Sequence, residues 1–254
     1  MTAVHVDDTY VRLAVGIVLL LTIACVVLRL AGVPHLRSVI VASLRAVIQL
    51  AVIAAALRGV FQAPIAVIGV ITVMFSVACW TSTRRLRGHV NAARAVIASI
   101  AAGSFVAVAI IVGLPSLSRD VRTLVAVCGI VIGGSMTSAT LAGRRFDQGL
   151  RDHRDEIEAW LSIGATPRQA MRDIARSSIY EALVPALDQT RTVGLVSLPG
   201  AFIGALLGGA SAADAARFQI VVLVGLLCAE AITASLLLWL IGAPDTVPSQ
   251  HEYS

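Results

Sequence analysis

Long runs of apolar residues dominate this chain, and seven of them are long enough to form a membrane-spanning helix. A helix needs about 20 mostly apolar residues to cross the hydrocarbon core of a bilayer. The pattern predicts spans at residues 11–30, 39–57, 64–80, 93–114, 121–142, within 177–207 and at 218–241. The sixth run contains two interruptions, one at Pro185 and one at Ser197-Leu198-Pro199-Gly200. We therefore expect an all-α polytopic membrane protein, with residues 1–254 forming a single transmembrane permease domain.

A hydrophilic insert, bounded by residues 143–176 with its polar core at 144–175, separates the fifth and sixth runs. Asp155 and Glu156 favour the positively charged end of a first helix, and Gly164 is typical of a helix end. Thr166 and Pro167 then suit the N-cap and first turn of a second helix. An apolar stripe is predicted on this pair of helices, formed by Ile157, Trp160, Leu161, Gly164, Ala170, Met171, Ile174 and Ala175. The insert is thus predicted to form a helix–turn–helix, although amphipathic helices of this kind also lie passively at membrane interfaces.

Composition supports the membrane assignment and excludes some chemistry. Hydrophobic residues make up 57% of the chain and charged residues 14%, against about 25% charged residues in a soluble domain. All 20 basic residues are arginine, giving a formal net charge of +5. A P-loop needs a lysine to hold nucleotide phosphates, so this chain is not expected to bind ATP in that way. It also contains neither an H-E-x-x-H nor a G-x-S-x-G motif, so it is not expected to be an enzyme.

The arginines also predict an orientation, since loops on the cytoplasmic side are enriched in basic residues. With the N-terminus outside, seven spans place on the inside Arg37, Arg84, Arg85, Arg87, Arg94, Arg144, Arg145, Arg151, Arg154, Arg168, Arg172 and Arg176. Only Arg12, Arg58, Arg119, Arg122 and Arg217 fall outside. The insert and the C-terminus are therefore predicted to be cytoplasmic, a result that depends on the number of spans.

Four sequence blocks together resemble a known transporter family. Within the insert, residues 158–165, EAWLSIGA, resemble the EAA loop of ABC-transporter permeases, which docks on a separate ATPase subunit. Trp160 stands where the commonest form of that motif has its second alanine. The other blocks are SLRAVIQL at 43–50, MTSATLA at 136–142 and GLVSLPG at 194–200, the last followed by FQIV at 218–221. With the insert, they resemble the FetB-like permeases, the membrane subunits of iron-export ABC transporters, to which plant aluminium-tolerance permeases are similar.

The resemblance implies a permease in the inner (plasma) membrane, without a cofactor of its own, driven by an ABC ATPase that carries ATP and Mg²⁺. It implies a homodimer, so that two inserts meet two ATPases, and export of iron or another metal. No nucleic-acid partner is expected. The residues expected to couple the chain to the ATPase are Glu156, Glu158, Ala159, Gly164, Ala165, Thr166 and Pro167.

Polar residues inside predicted spans mark a candidate substrate pathway, because an ionised side chain costs about 2.5–3.5 kcal/mol at the centre of a membrane helix. These residues are Arg45, Gln49, Asp188, Arg191, Ser197, Pro199, Gly200 and Glu230. Asp188 and Arg191 have the i,i+3 spacing of an ion pair. The same side chains also fit structural pairing between helices, such as Arg45 with Glu230 or Asp188, and both interpretations stay open.

Two further questions stay open. No cluster of His or Cys residues indicates a transition-metal site, so the metal ligands are unknown. A self-contained channel or an ion-coupled carrier using Asp188 or Glu230 is the alternative function.

Overall fold

The computed structural model describes residues 3–34, 36–60, 64–86, 91–113 and 120–242. These residues form helices joined by turns and contain no β-strand. In chain order the helices are α1 (Ala3–Leu30), α2 (Leu36–Val60), α3 (Pro64–Arg85), α4 (Ala92–Gly113), α5 (Val121–Asp152), α6 (Arg154–Ser162), α7 (Pro167–Ala170), α8 (Arg172–Thr192), α9 (Gly200–Leu207) and α10 (Ala212–Ile241). The predicted all-α class is confirmed.

Six of these helices, α1 to α5 and α10, are long and apolar enough to cross a membrane. They correspond to six of the seven predicted spans, and the protein is a polytopic membrane protein. The sixth predicted span instead consists of two helices, α8 and α9, neither of which meets the same criterion among the described residues. The seventh crossing therefore stays a prediction. The predicted end of the fourth span at Leu114 and the C-terminal tail lie outside the described residues.

Two compact units divide the chain, one over residues 1–63 and one over residues 64–254. The first contains α1 and α2, joined by a turn in which Gly32 has a φ of 69° and the Val33 amide donates to the Leu28 carbonyl. Nearly all described side chains of these two helices are exposed within the unit. Exposed apolar side chains on a span are expected in lipid, where an apolar surface costs nothing.

The second unit is a bundle in which α10 packs against α4, α5 and α8. Small residues allow the close approach of these helices. A Cβ on Gly103 would overlap the Thr233 side chain and the Ala229 carbonyl. The Ser104 hydroxyl donates to Ser135 across 3.3 Å, joining α4 to α5. Gly103, Ser104 and Ser135 thus lie at close contacts between helices, as small residues commonly do in membrane bundles.

The directions of the helices follow from pairs of residues in contact. Ser138 on α5 donates to the Glu230 carbonyl on α10, and further along the two helices Phe146 lies beside Gly242. The helices α5 and α10 therefore run in the same direction. The helix α8 runs the opposite way, because Ile174 near its start lies against Gly149, near the end of α5. The chain between α5 and α10 thus returns from one end of this pair to the other through α8, a break and α9.

The break between α8 and α9 includes the interruption predicted at residues 197–200, but it begins earlier, after Thr192. The helix α8 continues through Pro185 to Thr192, so the predicted interruption at Pro185 is wrong. Proline removes only one backbone bond, to the carbonyl four residues before it, and the surrounding turns hold the helix. The helix ends at Thr192, and the chain then turns at Gly194, whose φ of 81° suits a residue without a side chain. It resumes as α9 after Pro199.

Candidate functional site

The centre of the insert is a tight turn between α6 and α7, and local sequence explains each half. Asp155 and Glu156 lie in the first turn of α6. At its end Gly164 has a φ of 92°, and its amide donates to Leu161 while that of Ala165 donates to Trp160. These two bonds form a Schellman motif, which satisfies the last carbonyls of the helix.

The second half of the turn is stabilised by a capping box. The Thr166 side chain accepts from the Gln169 amide, and the Gln169 side chain accepts from the Thr166 amide at 2.9 Å. Pro167 occupies the first turn of α7. The predicted N-cap and helix start are confirmed.

Most of the predicted coupling residues lie on the surface of this turn. Glu156, Glu158, Ala159, Gly164, Thr166 and Pro167 are exposed, and Ala165 is half-buried. The predicted apolar stripe is only partly correct, because Ile157 is fully buried and Leu161 half-buried while Trp160 is 47% exposed. Trp160 and the neighbouring Ile163, 75% exposed, thus leave apolar surface at the tip of the insert.

The turn is firmly attached to the membrane bundle. The helix α5 does not end at the apolar boundary but continues to Asp152, which the sequence analysis did not predict. Phe146 and Leu150 on this extension belong to the same buried cluster as Ile157 and Met171. The insert therefore extends the core of the bundle and does not float at its surface.

Two polar contacts that sequence reasoning missed strengthen this attachment. Arg145 on α5 forms an ion pair of 2.9 Å with Glu181 on α8. Arg168 on α7 donates to the Trp239 carbonyl at 3.1 Å, and its guanidinium lies 5.2 Å from the Trp239 ring centre. The partners are far apart in sequence, and no spacing rule relates them.

A polar cleft of about 920 Å³ opens between the end of α5, α6, α7 and the start of α8. Its lining includes Arg145, His153, Glu156, Trp160 and Arg172. Side chains of both charge signs therefore line the cleft.

Within the second unit, the predicted pathway residues Asp188 and Arg191 lie on α8 and Glu230 lies on α10. Asp188 and Arg191 form the predicted ion pair, with 3.6 Å between Oδ1 and Nη1, and both side chains are exposed. Arg45 and Gln49 are exposed on α2, in the first unit. The predicted i,i+3 pairing of Asp188 with Arg191 is thus confirmed, and the pairing of Arg45 with Asp188 or Glu230 stays a prediction.

Glu230 lies apart from this pair, in the middle of α10. Its side chain is 7% exposed and packs beside Gly134 and Leu226. Among the described residues, no hydrogen bond or ion pair reaches its carboxyl group.

The described residues contain no group of three or more His, Cys, Asp or Glu side chains that could hold a metal ion. At the break, Ser197 and Pro199 are half-buried and Gly200 is exposed. The Ser197 hydroxyl is buried without a hydrogen-bond partner in the part of the chain that the structure describes.

Comparison with known proteins places the chain in a family. The model of the uncharacterised protein family UPF0014 matches residues 10–243. The UPF0014 membrane protein STAR2 of Oryza sativa subsp. japonica is 35% identical over 195 residues, 76% of this chain and 68% of the relative. The protein ALUMINUM SENSITIVE 3 of Arabidopsis thaliana is 35% identical over 170 residues, 65% of this chain and 62% of the relative.

A bacterial relative carries a functional name. The probable iron export permease protein FetB of Escherichia coli is 30% identical over 180 residues, 70% of each chain. No solved structure matches. The extent of the family match and the helical membrane bundle lead to one conclusion: the chain is a member of the UPF0014 family of membrane proteins.

Proposed function

We propose that the chain is the membrane-spanning permease subunit of an ABC transporter, driven by a separate ATPase that docks on the α6–α7 turn. The observation that carries this proposal is the structure of the turn. Its tip is exposed, and its other side packs against the core of the bundle. Glu158, Ala159, Trp160 and Ile163 present surface to a partner, while Ile157 is fully buried in the bundle.

The attachment of the turn suits the transmission of force. Arg145 and Glu181 join α5 to α8, and Arg168 joins α7 to α10. Displacement of the turn by a partner would therefore act on three helices of the bundle at once. An amphipathic helix resting on lipid headgroups needs none of these contacts.

We place ATP and Mg²⁺ on the partner subunit. The lack of lysine supports this assignment, because a P-loop needs a lysine to hold the nucleotide phosphates. The turn then lies in the cytoplasm, the N-terminus outside and the C-terminus inside the plasma membrane. Two copies of the chain would engage two ATPases.

The substrate we propose is iron or another metal ion, moved outward. Support comes from the name of the bacterial relative, a probable iron export permease protein. Asp188, Arg191, Ser197 and Glu230 supply polar groups along α8, the break and α10 for such a solute.

Charge reversal on the turn tests the docking step. Arg154 and Glu158 form an i,i+4 ion pair of 2.8 Å on α6, so Glu158→Arg changes both the surface and the helix. The double variant Arg154→Glu/Glu158→Arg restores the pair within the helix but leaves the surface charges exchanged. We expect both variants to lose co-purification of the ABC ATPase from membranes of the native host, while the unaltered chain retains it.

Recovery of ATPase binding in the double variant would show that only helix stability matters. Unchanged binding in both variants would overturn the proposal. Transport by the lone chain in liposomes without ATP, driven by an ion gradient, would support the channel or carrier alternative through Asp188 or Glu230.

A further inference from the structure

Glu230 lies where three membrane-spanning helices of the second unit meet, α4, α5 and α10. A Cβ on Gly134 of α5 would lie 2.7 Å from its Oε1 atom, and a Cβ on Gly103 of α4 would overlap the carbonyl of the preceding residue, Ala229. Glu230 is eleven residues from the end of α10 at Ile241 and eighteen from its start. At about 1.5 Å per residue, its side chain is about 16 Å or more from either end of the helix, and it is only 7% exposed.

Three hydroxyl groups near this contact already donate hydrogen bonds to other atoms. Ser104 donates to the Ser135 hydroxyl at 3.3 Å, Ser138 to the Glu230 backbone carbonyl at 3.0 Å, and Thr233 to the Ser99 carbonyl at 3.3 Å. These bonds join the three helices to one another. In the described part of the chain, none of them involves the side-chain carboxyl group of Glu230.

The charged residues of α4, α5 and α10 are distant from this carboxyl group. Counted from Gly103, the nearest on α4 is Arg94, nine residues away, and counted from Gly134, the nearest on α5 is Arg144, ten residues away. On α10 itself the nearest is thirteen residues from Glu230. Each is therefore separated from the carboxyl group by about 14 Å or more along a helix.

The charged residues of α8 have partners of their own, since Glu181 pairs with Arg145 and Asp188 with Arg191. The helix α9 contains no charged residue. The other titratable groups of these helices near this level face elsewhere: Cys228 lies about 200° around α10 from Glu230, Cys128 belongs to the same buried cluster as Ala78 of α3, and Tyr180 is 59% exposed on α8.

An ionised carboxylate is unfavourable in this position. Burying a charge without a partner costs several kcal/mol even after the protein relaxes. The neutral acid carries only the smaller cost of a buried polar group. Since nothing in the described surroundings of Glu230 balances a negative charge, this packing of the helices favours the protonated acid.

We propose that Glu230 is a proton-binding site, which holds its proton while α5 packs against α10 and releases it when the two helices move apart. The proton passes from the carboxyl oxygen to water that enters between the helices, and the carboxylate stays on α10. The inference deepens the proposed function, because it rests on the ATPase as the source of this movement.

The helix α5 connects this site to the insert. It continues without interruption from Gly134, beside the carboxyl group, to Asp152, and α6 follows at once. Phe146 near its end belongs to the same buried cluster as Ile157 of α6. A displacement of the docking turn would therefore shift the residue that encloses the Glu230 carboxyl group.

The proton also determines which solute the open site can hold. While the helices are packed, the neutral acid does not attract a cation. After the proton has left, the carboxylate does attract one. The solute class that fits this site is therefore a cation, which would bind in exchange for one proton.

Infrared spectroscopy of the purified chain in lipid at neutral pH tests the proton site, because a protonated carboxyl group has a carbonyl-stretching band that a carboxylate lacks. We expect this band in the unaltered chain and its loss in Glu230→Gln. Asp188→Asn is the matched control and should retain the band, since Asp188 is exposed and paired with Arg191.

Isotope-labelled glutamate gives a measurement on the unaltered chain that does not depend on the folding of a variant. The label should shift the band, which assigns it to a glutamate. Absence of the band from the unaltered chain, a band that the label leaves in place, or a band that persists in Glu230→Gln would overturn the proposal.

The link between the proton and the helices is tested in the complex with the ATPase. We expect the band to weaken when the complex is trapped with ATP and vanadate, compared with the nucleotide-free complex. An unchanged band in a trapped complex that retains its ATPase would overturn the proposed proton release and leave the docking proposal standing. Failure of the ATPase to co-purify would overturn the docking proposal, whereas the band of the lone chain would still decide the proton site.

Discussion

The Arg168 guanidinium donates a hydrogen bond of 3.1 Å to the Trp239 carbonyl and lies 5.2 Å from the centre of the same residue's ring. Arg168 belongs to α7, directly after the turn that we propose as the ATPase-docking site, and Trp239 lies near the end of α10. This contact connects the insert directly to α10, the central helix of the bundle, independently of the contacts made by α8.

Loss of the contact between Arg168 and Trp239 should weaken the coupling of ATP hydrolysis to transport without abolishing docking of the ATPase. An exposed cation–π contact contributes about 0.5–1 kcal/mol, which corresponds to a factor of about 2–5 in an equilibrium. We expect Arg168→Ala to retain ATPase co-purification but to lower transport per ATP hydrolysed by about that factor. Arg151→Ala, at the exposed end of α5, serves as the control and should have no effect. Equal losses in both variants would show that Arg168 contributes only positive charge.

Close packing of α4 against α10 makes Gly103 sensitive to a single methyl group. The added Cβ of Gly103→Ala would meet the Ala229 carbonyl, which is part of a helix and cannot move aside. We expect a loss of about 1–3 kcal/mol, the usual cost of overpacking, seen as a lower thermal unfolding midpoint in detergent. Gly133→Ala on α5 is the control, because nothing lies within 4 Å of its Cβ position. A Gly103→Ala variant as stable as Gly133→Ala would show that these helices do not pack closely in the membrane.

Within the described part of the chain the Glu230 carboxyl group has no hydrogen-bond or ion-pair partner, and substitutions there distinguish a pathway residue from a member of a structural pair. Breaking a buried ion pair costs about 3–5 kcal/mol, whereas replacing a buried carboxyl group that has no partner removes the cost of burying an unsatisfied polar group. We expect Glu230→Gln and Glu230→Leu to unfold at the same temperature as the unaltered chain or higher, and to transport less. A strong loss of stability in both variants would assign Glu230 to a structural pair.

The start of the break depends on the left-handed backbone at Gly194. A residue with a Cβ costs roughly 1–2 kcal/mol in that conformation, so Gly194→Ala should destabilise the break and reduce transport. Gly204→Ala on α9 has open space and no such backbone constraint, and should behave like the unaltered chain. Transport in proteoliposomes containing the ATPase is the measurement. Full transport by Gly194→Ala would show that the geometry of the break is not required.

The sequence alone determined the architecture and the local structure of the insert. Apolar runs of membrane-spanning length predicted six of the long helices, and most helix ends lie within a few residues of the predicted ones. This is possible because the thickness of the bilayer sets a minimum length of apolar sequence for each span. Gly164, Thr166 and Pro167 located the turn, because capping and left-handed backbone are properties of single residues. The ion pair of Asp188 with Arg191 was found for a similar reason, as its partners are one helical turn apart.

The tertiary structure decided what surrounds these local features. Only packing shows that α5 continues through Phe146 and Leu150 and that Ile157, not Trp160, is the buried residue of α6. The contacts of Arg145 with Glu181 and of Arg168 with Trp239 join residues far apart in the chain. No local periodicity encodes such pairs, because each depends on how two helices lie side by side. For the same reason the sequence could not show what surrounds Glu230, whose carboxyl group lies beside Gly134 on α5.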